Sequence, residues 1–543
     1  MTNARYWCVG FLGVLVGCGS DASNKHSPTP ALDPVRFDAT VYGPGEGAGF
    51  LRILPEGDPL VEWSPHEVIV VRDAPLDLSV VAALLSAGPQ SGASHLSLRL
   101  KEKNVPNASV PDIYRSKELM AMNGRLVYVK VDDTSIEIRP TTMAEAEALW
   151  AKKRPVVGPL LLDLQRRDWA SFVDLRHKDA PAFGVKTANL GELYQVVPVV
   201  NRVSGFGIPA AVYEDFIRQG GLQPEVDAVI ADKRLVSDPA WKKQRLKMFR
   251  KRIEATPAPD GLLAMLVDRA TAVFGSEVMT QRIRFRSSTN AEDLEAFSGA
   301  GLYESHAGCL ADDLDGDAQG PSRCVDAEQK KYFEAELAKW TERRAREPLL
   351  TWIDPIIADL QSELNDEKSA LSAIRKVWAS LWNDRAYDER DYYAVDHARV
   401  KMAMAVLISE KAEQLQAVAF TNIHFRQAPP FYALVSQVGE IGVVRPIDPS
   451  AKSEARLFYR GANNEVTQDI FLSPASESPQ DASLWSPERL GELGRVLFSV
   501  QDYFEVNVYP GRPLALDIEL KITHDNRLLI KQARPYLSEL PPF

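Results

Sequence analysis

Cysteine is scarce in this chain, four residues in 543. A disulfide-rich scaffold is therefore excluded, and stability has to come from apolar cores. A basic excess is also missing: 63 Lys and Arg stand against 74 Asp and Glu, a net charge of −11. Neutralising nucleic-acid phosphates needs a basic face, so nucleic acid is not expected as the main partner. A local phosphate pocket inside an acidic whole is not excluded by that balance. Past the stretch Tyr6–Gly17 no run is long and apolar enough to span a bilayer. What remains is an ordinary globular composition, 45% apolar and 25% charged. The length exceeds what one core supports, so about two or three domains are expected.

The first residues read as a targeting segment. Arg5 precedes the apolar stretch, which ends in Leu15-Val16-Gly17-Cys18. A charged start, a brief apolar run and small residues before a cleavage point make a secretory signal. A Cys directly after the small residue resembles the bacterial lipoprotein signal, in which Cys18 would be acylated. Residues 1–18 are thus expected as a lipoprotein signal peptide and 19–36 as a flexible tether. The membrane would be reached only through the lipid anchor, at the periplasmic or outer-surface face of the envelope. The alternative is a buried N-terminal element in a cytoplasmic protein. With Cys8 removed and Cys18 lipidated, Cys309 and Cys324 remain, flanking the acidic loop Leu310–Arg323. One disulfide closing that loop is expected, with two free thiols as the alternative. The loop's Asp312, Asp313, Asp315 and Asp317 lack the glycine and closing Glu of a calcium loop, so a solvated acidic loop is expected.

Beyond the tether the pattern is mixed. Residues 37–138 alternate short apolar runs with turns: Phe50–Leu54, Glu67–Val71 and Leu126–Val131 read as strands, and Leu78–Ala87 has helical spacing. Residues 139–160, with the helix-like Thr142–Lys153 before Pro155, read as a connector. From 161 to 543 strands and helices alternate again, with charged, helix-spaced stretches over 326–383 as a helical insertion. The fold class is therefore α/β or α+β.

Several strings carry candidate chemistry. RFRSSTNAEDL (Arg284–Leu294) followed by FSGAGLYES (Phe297–Ser305) reads as a strand delivering Arg286, then hydroxyls, then a Gly-rich turn. A guanidinium grips phosphate by parallel bonds, and glycines let backbone amides approach it. A capped helix start is the plainer reading. In DIE (Asp517–Glu519) the two carboxylates are two apart, so a strand points both to one face. IKQARP (Ile530–Pro535), on the next strand, would bring Gln532 and Arg534 beside them. Hard oxygen ligands near a guanidinium suit a magnesium nucleotide, whereas a charged edge strand needs no ligand. In PQSGASHLSLR (Pro89–Arg99), His95 follows small residues, and a neutral imidazole is a competent nucleophile. A hydrogen-bonded structural histidine is the alternative.

Together these strings resemble the pyruvate phosphate dikinase family, with motifs and order most similar to the α-glucan and phosphoglucan water dikinases. FGVKTANLGEL (Phe183–Leu193) resembles that family's phosphate-lysine motif, with Val185 in place of a glycine and Lys186 kept. KVWASLWNDRAY (Lys376–Tyr387) and the pair Asp396-His397 are similar to the water-dikinase stretch. MAVLISE (Met404–Glu410) resembles the adenine hinge, with Ser409 where a Gln is usual and Glu410 holding the base. The His95 string resembles the family's swivelling phosphohistidine domain. The resemblance implies an ATP-grasp domain over 161–543 preceded by a small β/α swivel domain over 37–138.

It also implies a mechanism. Lys186, Arg286 and Arg534 would hold ATP, while Glu519 and Gln532, with Asp517, would hold Mg²⁺. His95 would carry the β-phosphoryl to an acceptor, a carbohydrate or a protein, with AMP and phosphate released. The family's pyruvate-binding barrel has no counterpart before Phe543, so pyruvate is not the expected acceptor. Two other classes stay open: an ATP-binding or phosphate-relay lipoprotein, and a non-catalytic member that keeps only the fold.

Overall fold

The protein is described by a computed structural model over residues 33–55, 63–74, 78, 80–90, 100, 103–292, 294, 297, 299, 301–316, 319–409, 413–424, 429–439, 451–476, 478, 482–511 and 513–536. Its first sheet grows from the short apolar runs of the N-terminal third. The strands are β1 (Val35–Asp38), β2 (Thr40–Gly43), β3 (Gly45–Ile53), β4 (Glu67–Val71), β5 (Ala83–Ser86), β6 (Asn107–Ser109), β7 (Leu126–Val131) and β8 (Ser135–Pro140). Their order is β1-β8-β7-β3-β4-β5-β6-β2. The centre, β3 to β6, is parallel, and the flanks are antiparallel.

That parallel centre corrects one expectation. The helical spacing of Leu78–Ala87 is not realised, because Ala83–Ser86 is β5, with all four residues buried. A parallel strand covered on both faces shows no polar alternation, so its short apolar run mimics a helix.

Residues 139–160 hold a helix, α1 (Met143–Lys153), whose N-terminus is capped by Thr142. It docks onto the first sheet through Trp150, whose ring nitrogen donates to Ala48 O at 2.7 Å. The following Arg154 donates to Tyr392 O at 2.9 Å, tying this segment to the body as well. The rings of His66 and Trp150 lie 4.1 Å apart at the same junction. The first sheet's Ile69, Val71 and Leu84 share one buried cluster with Trp378 and Phe285 of the body.

The body has two antiparallel sheets. The five-stranded one comprises β9 (Ala170–Ser171), β10 (Gly205–Ile208), β11 (Ile283–Thr289), β12 (His306–Gly308) and β13 (Met402–Ile408), in the order β12-β11-β13-β10-β9. The six-stranded one comprises β14 (Glu413–Ile423), β15 (Phe431–Val438), β16 (Glu454–Arg460), β17 (Val466–Ser473), β18 (Leu516–Thr523) and β19 (Leu528–Pro535), in the order β17-β16-β15-β14-β18-β19. Between the sheets runs α2 (Val185–Val196), packed on both β11 and β19. Next come the helix α3 (Pro239–Ala255) and the insertion helices α4 (Ala327–Arg346), α5 (Asp354–Asn365), α6 (Ala370–Ser380) and α7 (Asp384–Tyr392). Of these, α6 packs on β11 and β12 of the five-stranded sheet, α3 packs on α6 and α7, and α4 pairs with α5. A last helix, α8 (Pro487–Tyr503), buries Leu493, Leu497 and Val500 with the six-stranded sheet. Lys242 of α3 and Asp388 of α7 form a buried pair, both carboxylate oxygens at 2.6 Å. No described helix is long and apolar enough to cross a membrane.

Two further sequence readings become concrete here. Cys309 and Cys324 are joined by a disulfide, their Cα atoms 5.8 Å apart. The acidic loop they bracket is not simply solvated, which is a second correction. Asp312, 3% exposed, accepts from the backbone N–H groups of Arg323 and Lys368, each at 2.8 Å. Asp313 accepts from the N–H of Ala370 at 2.6 Å, at the start of α6. Carboxylates satisfying orphan donors at a helix N-terminus are structural groups. Of the Asp396-His397 pair, His397 belongs to the core. Its Nδ1 accepts from Arg390 at 3.1 Å and its ring stacks on Tyr387 at 4.3 Å. Burial, helped by Arg390, holds it well below the usual imidazole range.

Candidate active site

The site is set by how α2 is pinned between two sheets. Gly184, immediately before α2, has φ 74° and lies against Ser288 of β11, where any Cβ would collide with the Ser288 hydroxyl and carbonyl. Only glycine takes that backbone shape and that approach without cost. The Ser288 hydroxyl in turn donates to Phe183 O at 2.9 Å and accepts from Thr187 N at 3.0 Å. On the other side Asn189 donates to Ala533 O of β19 at 3.0 Å. These bonds fix the first turn of α2, and with it Lys186, between β11 and β19.

Strand register does the rest. β18 and β19 pair antiparallel with Asp517 opposite Arg534 and Glu519 opposite Gln532. Arg286 reaches across from β11. Its Nη2 donates to Glu519 Oε2 and to Gln532 Oε1, both at 2.8 Å, and its Nη1 donates to Lys531 O at 2.9 Å. Arg534 donates to Asp517 Oδ2 through Nε at 3.0 Å and Nη2 at 2.5 Å. Lys186 pairs with Glu292 Oε1 at 3.1 Å. The structure thus gathers Lys186, Arg286, Arg534, Asp517, Glu519 and Gln532 in one place. His95, Glu410 and Cys18 lie outside the described residues.

Cations and carboxylates interleave here, Lys186 with Glu292, Arg286 with Glu519 and Arg534 with Asp517. Burial by itself would raise the Glu519 carboxyl. Arg286, Lys531, Arg534 and Lys186 overcome that and hold it down to about 2. Glu292, 1% exposed, goes the other way: burial raises its carboxyl despite Lys186 and Arg534. Its Oε2 has no hydrogen-bond partner among the described residues. Glu292 and Lys531 lie inside the RFRSSTNAEDL and IKQARP strings, whose local pattern gives neither a role. Their signal lies in the fold, a buried carboxylate against the phosphate lysine and a charge at an irregular strand position.

The donor set fits a magnesium nucleotide. The Nη2 of Arg286 bridges the Glu519 and Gln532 oxygens, so a magnesium ion taking those oxygens would displace the guanidinium towards the phosphates. No group of three or more His, Cys, Asp or Glu able to hold a metal exists among the described residues. Two protein oxygens completed by phosphate and water is how Mg²⁺ is commonly held, whereas a dedicated all-protein cage is not needed. Asp517, engaged by Arg534, orients that guanidinium.

Residues 180–539 match the family of the pyruvate phosphate dikinase AMP/ATP-binding domain. The chain belongs to this family. The match covers the six-stranded sheet, all of the five-stranded sheet except β9, and Lys186, Arg286, Glu292, Asp517, Glu519, Lys531, Gln532 and Arg534. Among curated proteins, the chain is similar to the phosphoenolpyruvate synthase of Aeropyrum pernix, 21% identical over 401 residues, which are 65% of this chain and 40% of that protein. It is also similar to the phosphoenolpyruvate synthase of Deinococcus radiodurans, 23% identical over 392 residues, 67% of this chain and 41% of that protein. The enzyme of the same name from Synechocystis is 30% identical over 142 residues, 25% of this chain and 17% of that protein. This pyruvate phosphate dikinase family member therefore spans well under half of the relatives it matches.

Proposed function

We propose that this protein is an ATP-dependent phosphotransferase of the dikinase type. The observation that carries the reading is the convergence of Arg286 from β11 on the paired Glu519 and Gln532, flanked by Lys186 and Arg534. Three cations then hold the triphosphate, and Glu519 and Gln532 offer oxygens to magnesium. When bound, that ion supplies charge to neutralise the phosphates in the transition state.

His95 is the phosphoryl carrier. Its neutral ring nitrogen forms a bond to the β-phosphorus while the bond to the bridging oxygen on the α side breaks. The electron pair stays on AMP, and water takes the γ-phosphoryl to release inorganic phosphate. The first sheet, with His95 between β5 and β6 in sequence, is the carrying domain, and residues 139–160 are its tether to the body. In this reading α1 undocks when the carrier moves.

Pyruvate is the first acceptor to assay, since the relatives are named phosphoenolpyruvate synthases; a glycan is the second, on the water-dikinase motifs. Residues 1–18 are proposed as a lipoprotein signal, which the Cys309–Cys324 bond supports, because disulfides persist in oxidising compartments. Mass spectrometry of the N-terminus from membrane fractions tests that address; an unprocessed Met1 refutes it. The activity itself is tested by separating nucleotides after incubation with Mg-ATP. AMP and phosphate are expected, and Lys186→Ala should form neither. ADP as the sole product contradicts the dikinase reading. Tight ATP binding without turnover leaves a nucleotide-binding module.

A further inference from the structure

The register of β18 on β19 breaks at one point. Glu519 faces Gln532, but the next residue, Leu520, faces Ile530. Lys531 is the extra residue of this bulge, without a partner on β18. Bulges re-aim side chains and recur beside active sites. Here the bulge brings the Lys531 carbonyl under Arg286 at 2.9 Å and sends its ammonium towards Glu413, with 3.9 Å to Oε1.

Position along the strands gives this a direction. Asp517 and Arg534 lie at one end, followed by Glu519, Gln532 and Arg286. Lys531 comes next, and Glu413 begins β14 at the far end. Glu413 follows Ser409–Glu410, the segment proposed to hold adenine, by a few residues. With adenine held by the segment that leads into β14, as the resemblance implies, Lys531 would stand between the base and the magnesium–triphosphate end.

The geometry points to Lys531 as a phosphate-binding cation for the α-phosphate, the one shared by ATP and AMP. The inference rests on the ATP-site reading above and adds a subsite to it. Against the pull of burial, Lys531 and Lys521 together hold the Glu413 carboxyl down, and Lys521 contacts the same Oε1 at 2.8 Å. When the ammonium turns to a ligand, Lys521 remains as the ion-pair partner of Glu413. Burial, with Arg286 of β11 and Lys521 of β18 adding to it, pulls the Lys531 ammonium down to about 8, against the opposing pull of Glu413 of β14 and Glu519 of β18. A bound phosphate would offset that burial by pairing with the ammonium.

The test measures binding of ATP, AMP and adenosine to the full chain and its variants by calorimetry. Lys531→Met should weaken ATP and AMP alike by roughly tenfold, as for loss of one charged phosphate contact, and leave adenosine unchanged. Lys531→Arg should bind all three as wild type, which separates lost charge from misfolding. Unchanged AMP affinity in Lys531→Met, or an equal loss for adenosine, overturns the subsite. If wild type itself binds neither ATP nor AMP, the ATP-site reading falls first. If Arg286→Ala weakens ATP while Lys531→Met does not, that reading stands and only the Lys531 subsite is lost.

Discussion

Replacing Arg286 by Ala separates what this guanidinium does for the fold from what it does for the nucleotide. It contributes hydrogen bonds to Glu519 Oε2, Gln532 Oε1 and Lys531 O. Its share of the fold follows from Glu519, whose carboxyl is held at about 2 against an ordinary value of about 4.3. A folded value below the unfolded one stabilises above the ordinary value, and the stabilisation is lost as pH falls towards the folded one. The separation corresponds to about 3 kcal/mol in full. Glu519 keeps 32% of its side-chain surface exposed, and solvent screening brings this to roughly half, about 1.5 kcal/mol. Lys531, Arg534 and Lys186 remain in Arg286→Ala, so the variant should lose only about 1 kcal/mol at neutral pH. That loss should fade as pH falls from about 4 towards about 2. Nucleotide affinity should suffer more: losing charge-assisted contacts to phosphate costs about 1.5–3 kcal/mol, roughly 10- to 100-fold in Kd. Urea unfolding across pH measures the first effect, and calorimetry with Mg-ATP on the folded variant measures the second. Wild-type affinity in Arg286→Ala would refute the assignment of this residue to the triphosphate.

Three other outcomes follow from particular contacts. Glu519→Gln should lower kcat far more than it raises the Kd for ATP, because metal charge matters most in the transition state; wild-type ATP consumption would remove Glu519 from the metal. Reducing the Cys309–Cys324 bond, which closes a separation of 15 residues, should cost about 3 kcal/mol on the loop-entropy account. Urea midpoints with and without reductant check this, and coincident midpoints contradict it. Asp388→Ala leaves Lys242 buried without its bidentate partner and should destabilise by about 3–5 kcal/mol, read by thermal unfolding.

Much of the site could be read from the chain because it is built on strands. A period of two puts Asp517 and Glu519 on one face, and antiparallel neighbours bring Gln532 and Arg534 opposite them. Lys186 was visible through its motif, but its partner Glu292 was not, since their ion pair joins residues 106 apart in sequence. Lys531 escaped for a different reason. A strict alternation would turn it away from Gln532, and a bulge is a register event that no local pattern announces. The strand at Ala83–Ser86 looked helical because burial on both faces removes the polar half of the pattern. Asp312 and Asp313 looked like a solvated cluster because their partners, the backbone N–H groups of Lys368 and Ala370, are far away in sequence.

The central claim is a phosphoryl group carried on His95 from an ATP held between the two body sheets. The most direct measurement is incubation of the full chain with ATP labelled at the β-phosphorus, followed by acid and base treatment of the protein. The account predicts an acid-labile, base-stable adduct that appears with AMP. The adduct should be absent in His95→Ala, while that variant still binds ATP. Label arriving from the γ position with ADP as product, or an adduct that survives in His95→Ala, would contradict it.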